Sequence, residues 1–563
     1  MWDTVTDIIS TRQADCKDCY RCLRACPVKA ISFKGNQAKI EPDRCVLCGR
    51  CVVECPQKAK IVRNQTFKIK DYFSRKEPVY LSLAPSFPAS FTQEAKGVMK
   101  LLEKSGFTKV EETAVGARYT VKAYKEEIAK SNGITKISTC CPVVVNLVEK
   151  YYPELRENLL PVLSPMVAHA RHLKECYGNG IKVVFAGPCI AKLREAEENG
   201  LDAAMTFTQL KTLLDQVPIQ GEEALKVFHE RMETRMFPVH NGVLYAMKGQ
   251  WGLEEEYWSI EGIENCCEIL DALRKKDVQP IFIEMMACQG GCVGGPAIDS
   301  PYGLYKRKEK VKEFYQRHLH SPSRPLLDNL VMGKSFSSKA VRKEVFTEEE
   351  IRSVLVKMGK FTKGDERNCE GCGYKSCRDK AAAVLAGLAV PEMCIPYMRE
   401  RAESLASTIV QSTPNSILVL DKEMVVRDFN PAAQKLFSSI PLKIGLKLSD
   451  YMNTQHYELV LEGRSSLTEQ RVYYPEWGLF TRQIATPLKE DGFVMVIITD
   501  ITQSEENRVQ YQKMKEDVMV KAKEVINQQM MVAQTIAGLL GETTAETKAT
   551  LMELLKHLER EEF

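Results

Sequence analysis

Long apolar runs and blocks of like charge are both missing from this 563-residue chain. No stretch approaches the 18 uninterrupted apolar residues typical of a membrane-spanning helix. The start, MWDTVTDIISTRQADC, has neither the basic residues nor the apolar run of a secretory signal. The 78 basic and 74 acidic residues are interspersed, which leaves a net charge of only +4. We therefore expect a cytoplasmic protein that binds neither membranes nor nucleic acid.

Cysteine, in contrast, is abundant, with 20 in the chain. Eight of them form two copies of the run C-x2-C-x2-C-x3-C-P, which is typical of bacterial 4Fe-4S ferredoxins. In such pairs the fourth cysteine serves the other cluster. The expected ligand sets are Cys16, Cys19, Cys22 and Cys55 for one cluster and Cys26, Cys45, Cys48 and Cys51 for the other. Zinc or disulfides would leave the duplicated spacing and the prolines unexplained.

A third cysteine set lies in NCEGCGYKSC and PEMCIPYM and consists of Cys369, Cys372, Cys377 and Cys394. Its spacing resembles a small 4Fe-4S domain found in several redox-enzyme subunits. A zinc knuckle is the alternative. Cys176, Cys266 and Cys267 belong to no motif, and we expect them to be small core residues.

Three further motifs stand in order along the chain: STCCP at 138–142, AGPCIAK at 186–192 and EMMACQGGCVGGP at 284–296. Together they resemble the cysteine motifs of FeFe hydrogenases. The resemblance implies that Cys141, Cys189, Cys288 and Cys292 hold one 4Fe-4S cube, because soft thiolates suit iron-sulfur clusters. It also implies that Cys292 bridges to a two-iron subcluster that carries CO and cyanide. Ordinary buried cysteines are the alternative.

The same resemblance assigns roles to four other side chains. Cys140 passes protons to the open iron, Lys192 and Ser86 donate hydrogen bonds to the cyanides, and Met286 packs near the bridging CO. Charge-assisted donors are strong where water is excluded, so these residue types suit a buried anionic group.

Several positions depart from the fast enzymes of that family. Tyr124 stands where a proton-relay glutamate is expected, and Leu160 replaces a relay serine, whereas Glu127 aligns with the next relay carboxylate. A phenol with a pKa near 10 and an aliphatic side chain are poor proton carriers at neutral pH. Gly187 replaces a methionine beside the two-iron unit, and Pro296 interrupts a glycine run. These departures predict slow turnover.

Hydrophobic patterning predicts a multidomain chain with α/β and α+β parts. Apolar runs at 79–85, 182–189 and 280–288 predict buried strands, each followed by a cluster cysteine or a cyanide-facing residue. Segments 97–107, 206–217 and 266–276 have helical spacing, which makes the core α/β. The resemblances, including the one to PAS domains that residues 416–437 and 492–502 carry, imply a two-cluster ferredoxin-like domain (1–66), an FeFe-hydrogenase-like core (67–355), an additional 4Fe-4S domain (356–400), a PAS domain (401–502) and a helical output segment (503–563).

The PAS assignment comes from SILVLDKEMVVRDFNPAAQKLF at 416–437 and GFVMVIITDIT at 492–502, which resemble that family. The resemblance implies that Asn430 begins a helix and that the triplet Asp500-Ile501-Thr502 couples the sheet to an output helix. A generic α+β dimerisation module is the alternative. The PAS ligand stays unknown.

A heptad of apolar residues follows the triplet: Tyr511, Val518, Val525, Val532 and Leu539. It predicts a coiled coil and a possible homodimer, but the mostly polar companion positions leave packing on the PAS domain open. Gly541 suits a helix end, and Thr543 with Glu546 suits the start of a last helix. No nucleotide loop, kinase histidine box or phosphatase carboxylate set follows, so we expect the output enzyme to be a separate polypeptide.

The whole pattern resembles sensory FeFe hydrogenases. It implies a sensor of dihydrogen or redox state with slow, reversible dihydrogen chemistry, matured by hydrogenase maturation proteins, linked to ferredoxin and read by a partner kinase or phosphatase. A ferredoxin-linked catalytic hydrogenase and a non-catalytic iron-sulfur redox protein are the two alternatives.

Overall fold

A computed structural model gives the structure of the chain and describes residues 7–35, 37–92, 95–131, 133–215, 231–249, 256–319, 321, 325–342, 344–463, 469–488, 492–540 and 548–553. The chain divides into two compact units, Met1–Met398 and Arg399–Phe563. Each unit is described by itself below.

The first unit begins with a small segment whose two halves repeat each other. Its elements are β1 (Ile9–Thr11), α1 (Arg21–Ala25), β2 (Ile31–Lys34), β3 (Gln37–Ile40), α2 (Arg50–Val53) and β4 (Lys60–Val62). Strand β1 pairs with β4 and β2 with β3, both antiparallel. Each helix starts after a residue with left-handed backbone, Tyr20 (φ 56°) and Gly49 (φ 74°), and carries the third cysteine of its run.

The larger part of this unit alternates strands and helices. The elements are α3 (Thr66–Ser74), β5 (Val79–Leu83), α4 (Ala95–Lys104), β6 (Lys109–Glu112), α5 (Ala114–Ala129), β7 (Lys136–Ile137), α6 (Pro142–Tyr151), α7 (Pro165–Tyr177), β8 (Lys182–Gly187), α8 (Ala191–Glu198), β9 (Ala203–Thr206), α9 (Phe207–Leu214), α10 (Gly242–Lys248), β10 (Tyr257–Glu261), α11 (Ile263–Lys275), β11 (Phe282–Met286) and α12 (Leu304–Gln316).

Two parallel sheets form the centre of this α/β core. One has the strand order β6-β5-β8-β9 and the other β10-β11-β7. The three predicted buried strands correspond to β5, β8 and β11, whose apolar residues are enclosed by helices on the sheet faces. In parallel sheets the residues just past the carboxyl ends of the strands meet at one edge, which is where ligands bind.

A buried ion pair lies near the edge formed by the carboxyl ends of the parallel strands. Arg235 donates two hydrogen bonds to the Glu112 carboxylate at the end of β6, at 2.8 and 2.6 Å. Both side chains are almost fully buried, at 1% and 4% exposure. The pair positions the short segment that leads to Phe237 and Pro238.

Segment 63–78, which links the ferredoxin-like part to the α/β core, contains helix α3, because Ile69 is fully buried against the core. Helix α13 (Glu348–Lys357) spans the predicted boundary at 356. Its Val354 and Leu355 pack with Ala381 and Cys394 of the additional cysteine domain.

The additional domain continues with α14 (Cys377–Leu385) and ends where α15 (Ile395–Ser412) begins. Helix α13 starts in a capping box, in which the Thr347 hydroxyl accepts from the Glu350 amide. Helix α15 begins directly after Cys394 and continues without a break to Ser412, as the helical pattern predicts.

The second unit is an antiparallel α+β domain with its own core. Its elements are β12 (Ser416–Leu420), β13 (Val426–Phe429), α16 (Pro431–Leu436), α17 (Gln455–Leu461), β14 (Glu469–Tyr474), β15 (Leu479–Leu488), β16 (Phe493–Asp500) and α18 (Thr502–Leu540). The five strands have the order β13-β12-β16-β15-β14. Short 3-10 turns also occur in the chain, at Gln13–Asp15, Phe87–Ala89, Pro153–Asn158, Glu233–Met236, Cys292–Gly294, Lys363–Asp365, Pro391–Met393 and Leu448–Asp450.

The predicted heptad lies on the long helix α18. Tyr511, Val518, Val525 and Val532 are 52% to 65% exposed, so these four side chains do not pack on the PAS sheet within one chain. The Leu539 side chain and the predicted cap residues Gly541, Thr543 and Glu546 lie outside the described residues. Of the helices described, none combines the length and apolarity needed to cross a membrane.

Asn430 connects the start of the PAS sheet to its first helix, as the resemblance predicted. Its side-chain oxygen accepts the amides of Ile417 and Ala433, both at 2.9 Å, and its amide group donates to the carbonyls of Val410 and Asn415, also at 2.9 Å. The residue is only 2% exposed.

We predict that Asn430→Ala destabilises this unit by about 2–3 kcal/mol, because it removes a helix cap and leaves buried backbone groups unpaired. Hydrogen exchange should accelerate over residues 410–436. The control Asn453→Ala removes one exposed cap bond, to the Gln455 amide, and should leave this region unchanged. Equal acceleration in both variants would contradict the role given to Asn430.

Candidate iron-sulfur and dihydrogen site

The predicted site residues follow the carboxyl ends of parallel strands from both sheets. Ser86 comes after β5, Cys189 after β8, Cys288 after β11, and the doublet Cys140-Cys141 after β7. One cavity of about 90 Å³ lies at this edge. Seven predicted residues line it: Ser86, Cys140, Cys141, Cys189, Lys192, Met286 and Cys292.

Cys288 is absent from the cavity lining but lies among the other thiols. Burial raises the pKa of Cys288 well above its ordinary value, and the nearby thiols of Cys189, Cys141 and Cys292 raise it further. The structure therefore brings all four predicted cube ligands together.

Hydrogen bonds to the neighbouring strand hold the cysteine doublet in place. The Ser138 amide donates to Ile283 O, and the Ser138 hydroxyl accepts the Met285 amide, both at 3.0 Å. Cys141 is the N-cap residue of α6, and Pro142 starts that helix. Cys189 precedes α8. Burial raises the pKa of its thiol to about 11, whereas the backbone N–H groups of Lys192 and Ala191 lower it.

Two glycines permit the tight loop that carries Cys288 and Cys292. Gly291 has φ of +80°, and a Cβ atom there would lie 2.6 Å from Pro238 O. A Cβ on Gly295 would lie 2.8 Å from Pro188 O. The loop backbone thus packs directly against the segments that carry Phe237 and Cys189.

The departures Gly187 and Pro296 also have a structural explanation. A Cβ at Gly187 would lie 2.6 Å from the Phe185 ring, so Phe185 fills the space that a longer side chain would need. Pro296 packs against the ferredoxin-like segment, since a Cβ on Gly49 would lie 2.7 Å from Pro296 Cγ.

Ser86 and Lys192 provide the donors that a buried anionic group needs. Ser86 is 1% exposed, and its hydroxyl has no hydrogen-bond partner among the described residues. The Lys192 ammonium donates to Glu195 at 2.6 Å, and Lys334 lies 3.4 Å from the same carboxyl group. Although burial lowers the pKa of Lys192, Glu195 holds it above the ordinary value. The unpartnered hydroxyl and the four thiols fit a cluster with anionic ligands.

Cys140 has an unexpected neighbour in Glu284, which lies within strand β11. Burial raises the pKa of Cys140 to about 12, and Cys141 and Glu284 raise it too. Burial also raises the pKa of Glu284 to about 8, although backbone N–H groups at the start of α10 lower it. The Leu244 amide donates to Glu284 Oε2 at 3.0 Å, whereas Oε1 is buried and has no partner among the described residues. Burial therefore favours the neutral, protonated form of this carboxyl group near Cys140.

Sequence reasoning missed Glu284. The available signal was a charged residue inside the apolar run PIFIEMMAC, where a solvated glutamate is not expected.

Tyr124 is locked in place by two hydrogen bonds. Its hydroxyl accepts the Thr139 amide at 2.6 Å and donates to Thr139 Oγ1 at 3.1 Å, which in turn donates to the carbonyls of Leu160 and Val162. Burial raises the pKa of Tyr124 well above 10. Glu127 lies near the helix end and pairs with Lys130 at 2.8 Å. This arrangement leaves Tyr124 as a neutral structural anchor.

The ferredoxin-type cysteines group largely as expected. Burial raises the pKa of Cys51 well above its ordinary value, with Cys48, Cys45 and Cys26 adding to the effect. Burial likewise raises the pKa of Cys22, with smaller effects from Cys16 and Cys19. The side-chain oxygen of Gln57 lies 3.8 Å from Cys19 Sγ, which places the turn after Cys55 beside that set.

The second ferredoxin set also borders the core site. Cys48 shares a hydrophobic cluster with Cys141 and Cys189 and is one of the thiols that raise the pKa of Cys288. At the end of α6, Lys150 donates to Cys45 O at 2.8 Å and Tyr151 to Arg44 O at 2.7 Å.

In the additional domain, all four predicted cysteines line one cavity of about 20 Å³. The Cys377 amide donates to Asn368 Oδ1 at 2.8 Å at the start of α14. Across the part of the chain that the structure describes, no three histidine, cysteine or carboxylate side chains converge on a single ion.

The three cysteines without a motif differ from each other. Cys266 is fully buried, and its thiol lies 3.7 Å from Met286 O, whereas Cys267 is half-buried. The expectation of a core position is wrong for Cys176, which is exposed near the end of α7 and lies 3.6 Å from His172 Nε2.

Four family models match separate parts of the chain. Residues 77–296 match the C-terminal domain of the iron-only hydrogenase large subunit, 15–59 a 4Fe-4S dicluster domain, 365–396 an Fe-S cluster family and 407–476 a PAS domain.

Two curated relatives are hydrogenases. Iron hydrogenase 1 of Clostridium pasteurianum is 25% identical over 330 residues, which cover 46% of this chain and 58% of the relative. The periplasmic Fe hydrogenase large subunit of Nitratidesulfovibrio vulgaris is 23% identical over 257 residues, which cover 35% and 61%. This chain thus spans about 60% of the length of those relatives.

Solved structures overlap two parts of the chain. A variant of an FeFe hydrogenase from Chlamydomonas reinhardtii is 16% identical with a TM-score of 0.36, covering 49% of this chain and 100% of that one. The PAS domain of nitrogen regulation protein NR(II) from Vibrio parahaemolyticus is 21% identical with a TM-score of 0.15, covering 17% and 98%. The family models and the curated relatives identify the chain as a PAS-containing, FeFe-hydrogenase-like iron-sulfur protein.

Proposed function

We propose that this protein senses dihydrogen or the redox state that dihydrogen imposes, with slow reversible dihydrogen chemistry, and relays the signal through its additional cluster and PAS domain. The output partner is a separate kinase or phosphatase. The cluster-rich chain would act in the reducing environment of the cytoplasm of an anaerobe.

One observation carries this proposal: a pocket lined by the predicted cofactor-binding residues lies beside a proton-relay position occupied by an immobile phenol. The cavity brings together predicted ligands and hydrogen-bond donors. Tyr124, at the relay position, has both of its hydrogen bonds satisfied by Thr139. Such a site would bind the substrate but exchange protons slowly with solvent.

The residues of this chain have distinct roles in the proposed site. Cys141, Cys189, Cys288 and Cys292 would hold a 4Fe-4S cube, with Cys292 also bridging to a two-iron unit. When bound, these groups would supply the electrons and the metal centre at which dihydrogen reacts. Ser86 and Lys192 would orient that unit by donating hydrogen bonds, and Met286 would exclude water.

Proton handling falls to Cys140 and its neighbour. The high pKa of Cys140 keeps its thiol protonated near neutral pH, as a proton donor requires. Glu284, with a pKa of about 8, is the nearby group that can hold the next proton. This pair also favours the second candidate, a ferredoxin-linked catalytic hydrogenase.

A non-catalytic iron-sulfur role explains fewer features of the cavity than the sensor function does. It gives no reason for a serine hydroxyl that is buried without a partner among the described residues inside an apolar cavity, because such a group is costly unless it binds a ligand.

The route to the PAS domain follows from chain continuity. Cys394, the last predicted ligand of the additional cluster, directly precedes α15, which ends four residues before strand β12. At the other end of the sheet, Thr502 Oγ1 accepts the Phe480 amide at 2.9 Å, and Arg471 pairs with Glu505 at 3.0 Å. These contacts tie the start of α18 to the sheet.

We predict that Cys140→Ala lowers dihydrogen turnover by about 100-fold or more, because the proton donor is lost, while iron content is unchanged. The matched variant Cys288→Ala should lose the iron of the cube. Iron analysis and dihydrogen assays of matured protein measure both effects. Equal iron loss in the two variants would make Cys140 a ligand and contradict this assignment.

A second prediction concerns the signal. Hydrogen exchange over residues 400–415 and 500–540 should differ between protein reduced under dihydrogen and protein oxidised under inert gas, because a change at the additional cluster biases a two-state element. Cys394→Ala should remove the difference. Identical protection in both states of the unmodified protein would reduce the PAS domain to a dimerisation module and contradict the relay.

A further inference from the structure

The two ferredoxin runs provide matched positions that differ in environment. Lys29 follows Cys26 by three residues, and Lys58 follows Cys55 by three. Both lysines have left-handed backbone, with φ of 49° and 52°. The next amide donates to the cysteine sulfur at 3.3 Å in each run, from Ala30 to Cys26 and from Ala59 to Cys55.

Lys58 is exposed, whereas Lys29 is partly buried. The Lys29 ammonium donates to the carbonyls of Leu23 and Arg24, at 3.3 and 3.2 Å. The additional cysteine domain packs on the run that contains Lys29. Gly373 of that domain has φ of +88°, and a Cβ there would lie 2.9 Å from Arg24 Cα.

Tyr374 follows that glycine and lies in the same hydrophobic core as Leu23 and Cys26. It is 6% exposed, and its hydroxyl has no hydrogen-bond partner among the described residues. Burial raises its pKa, and the nearby thiols of Cys372 and Cys26 raise it further. Lys29 is near the same two thiols, which partly offset the lowering of its pKa by burial. Tyr374 and Lys29 therefore lie between ligands of two different clusters.

We propose that the cluster held by Cys369, Cys372, Cys377 and Cys394 exchanges electrons directly with the cluster held by Cys26, Cys45, Cys48 and Cys51, across the interface where Gly373 and Tyr374 pack on the segment from Leu23 to Lys29. Because Cys48 also borders the cube site, the second cluster is the junction between the core and the additional domain.

The step is a one-electron transfer. When both sites are loaded, a reduced cluster at the Cys26 set would lose one electron and an oxidised cluster at the Cys369 set would gain it, with no bond formed or broken. The Lys29 ammonium, which lies near Cys26 of one site and Cys372 of the other, would stabilise the more negative, reduced form of each. The inference rests on the proposed loading of these two sites with 4Fe-4S clusters, but not on dihydrogen chemistry.

The test is a redox titration of the reconstituted full-length chain with chemical mediators, followed by electron paramagnetic resonance. Lys29→Gln should lower the midpoint potential of each cluster by up to about 59 mV. That shift corresponds to a tenfold change in the ratio of oxidised to reduced cluster at a given potential. Lys29→Arg should restore them, and Lys58→Gln should shift neither. A shift in one cluster only, or equal shifts in the Lys29→Gln and Lys58→Gln proteins, would overturn the proposal.

A second measurement does not depend on whether the Lys29 variants retain iron. In the fully reduced unmodified protein, magnetic coupling should broaden the signal of the Cys26-set cluster, and Cys394→Ala should remove that broadening. If the Cys394→Ala protein has lost the iron of one cluster and the signal of the Cys26-set cluster is still broadened, the two clusters are not in direct contact and the proposal is contradicted. A protein that passes these tests but is not reduced by dihydrogen would refute the sensor function alone.

Discussion

The enclosure of thiols at the edge of two parallel sheets is the constraint on which the rest of the structure depends. Burial raises the pKa of Cys288 well above its ordinary value and that of Cys189 to about 11, so these thiols resist becoming the thiolates that iron requires. Metal binding must supply the free energy that deprotonates them. We therefore expect assembly of the core and loading of the cube to be strongly coupled.

The same constraint explains the polar groups around the cavity. A cluster with anionic ligands in an apolar cavity needs donors that have no competing partner, which Ser86 provides, and a cation, which Lys192 provides. The negative charge of Glu195 compensates the positive charge of Lys192. The protein without a bound cluster therefore does not leave the Lys192 charge buried and unpaired.

Much of this arrangement was predictable from the sequence, because cysteine spacing and apolar runs are local patterns that can be read without knowing the fold. Strands β5, β8 and β11, the residues that follow them, and the helix cap at Asn430 all follow such patterns. The packing of α13 against Ala381 and Cys394 was not predictable, because it joins segments that are separate in the sequence. Contacts between distant segments were also hidden. Glu284 acquires its environment from the amides of α10, and Lys29 lies near Cys372 and Glu370, which are far away in the chain.

An infrared spectrum of the matured protein tests the central claim most directly, because bound CO and cyanide absorb where no protein group does. The account predicts both kinds of band in the unmodified protein and a shift of the cyanide bands in Ser86→Ala, where the unpartnered donor is lost. The absence of CO and cyanide bands from protein that carries its full complement of cubes, after exposure to a maturation system that loads a known hydrogenase, would contradict it.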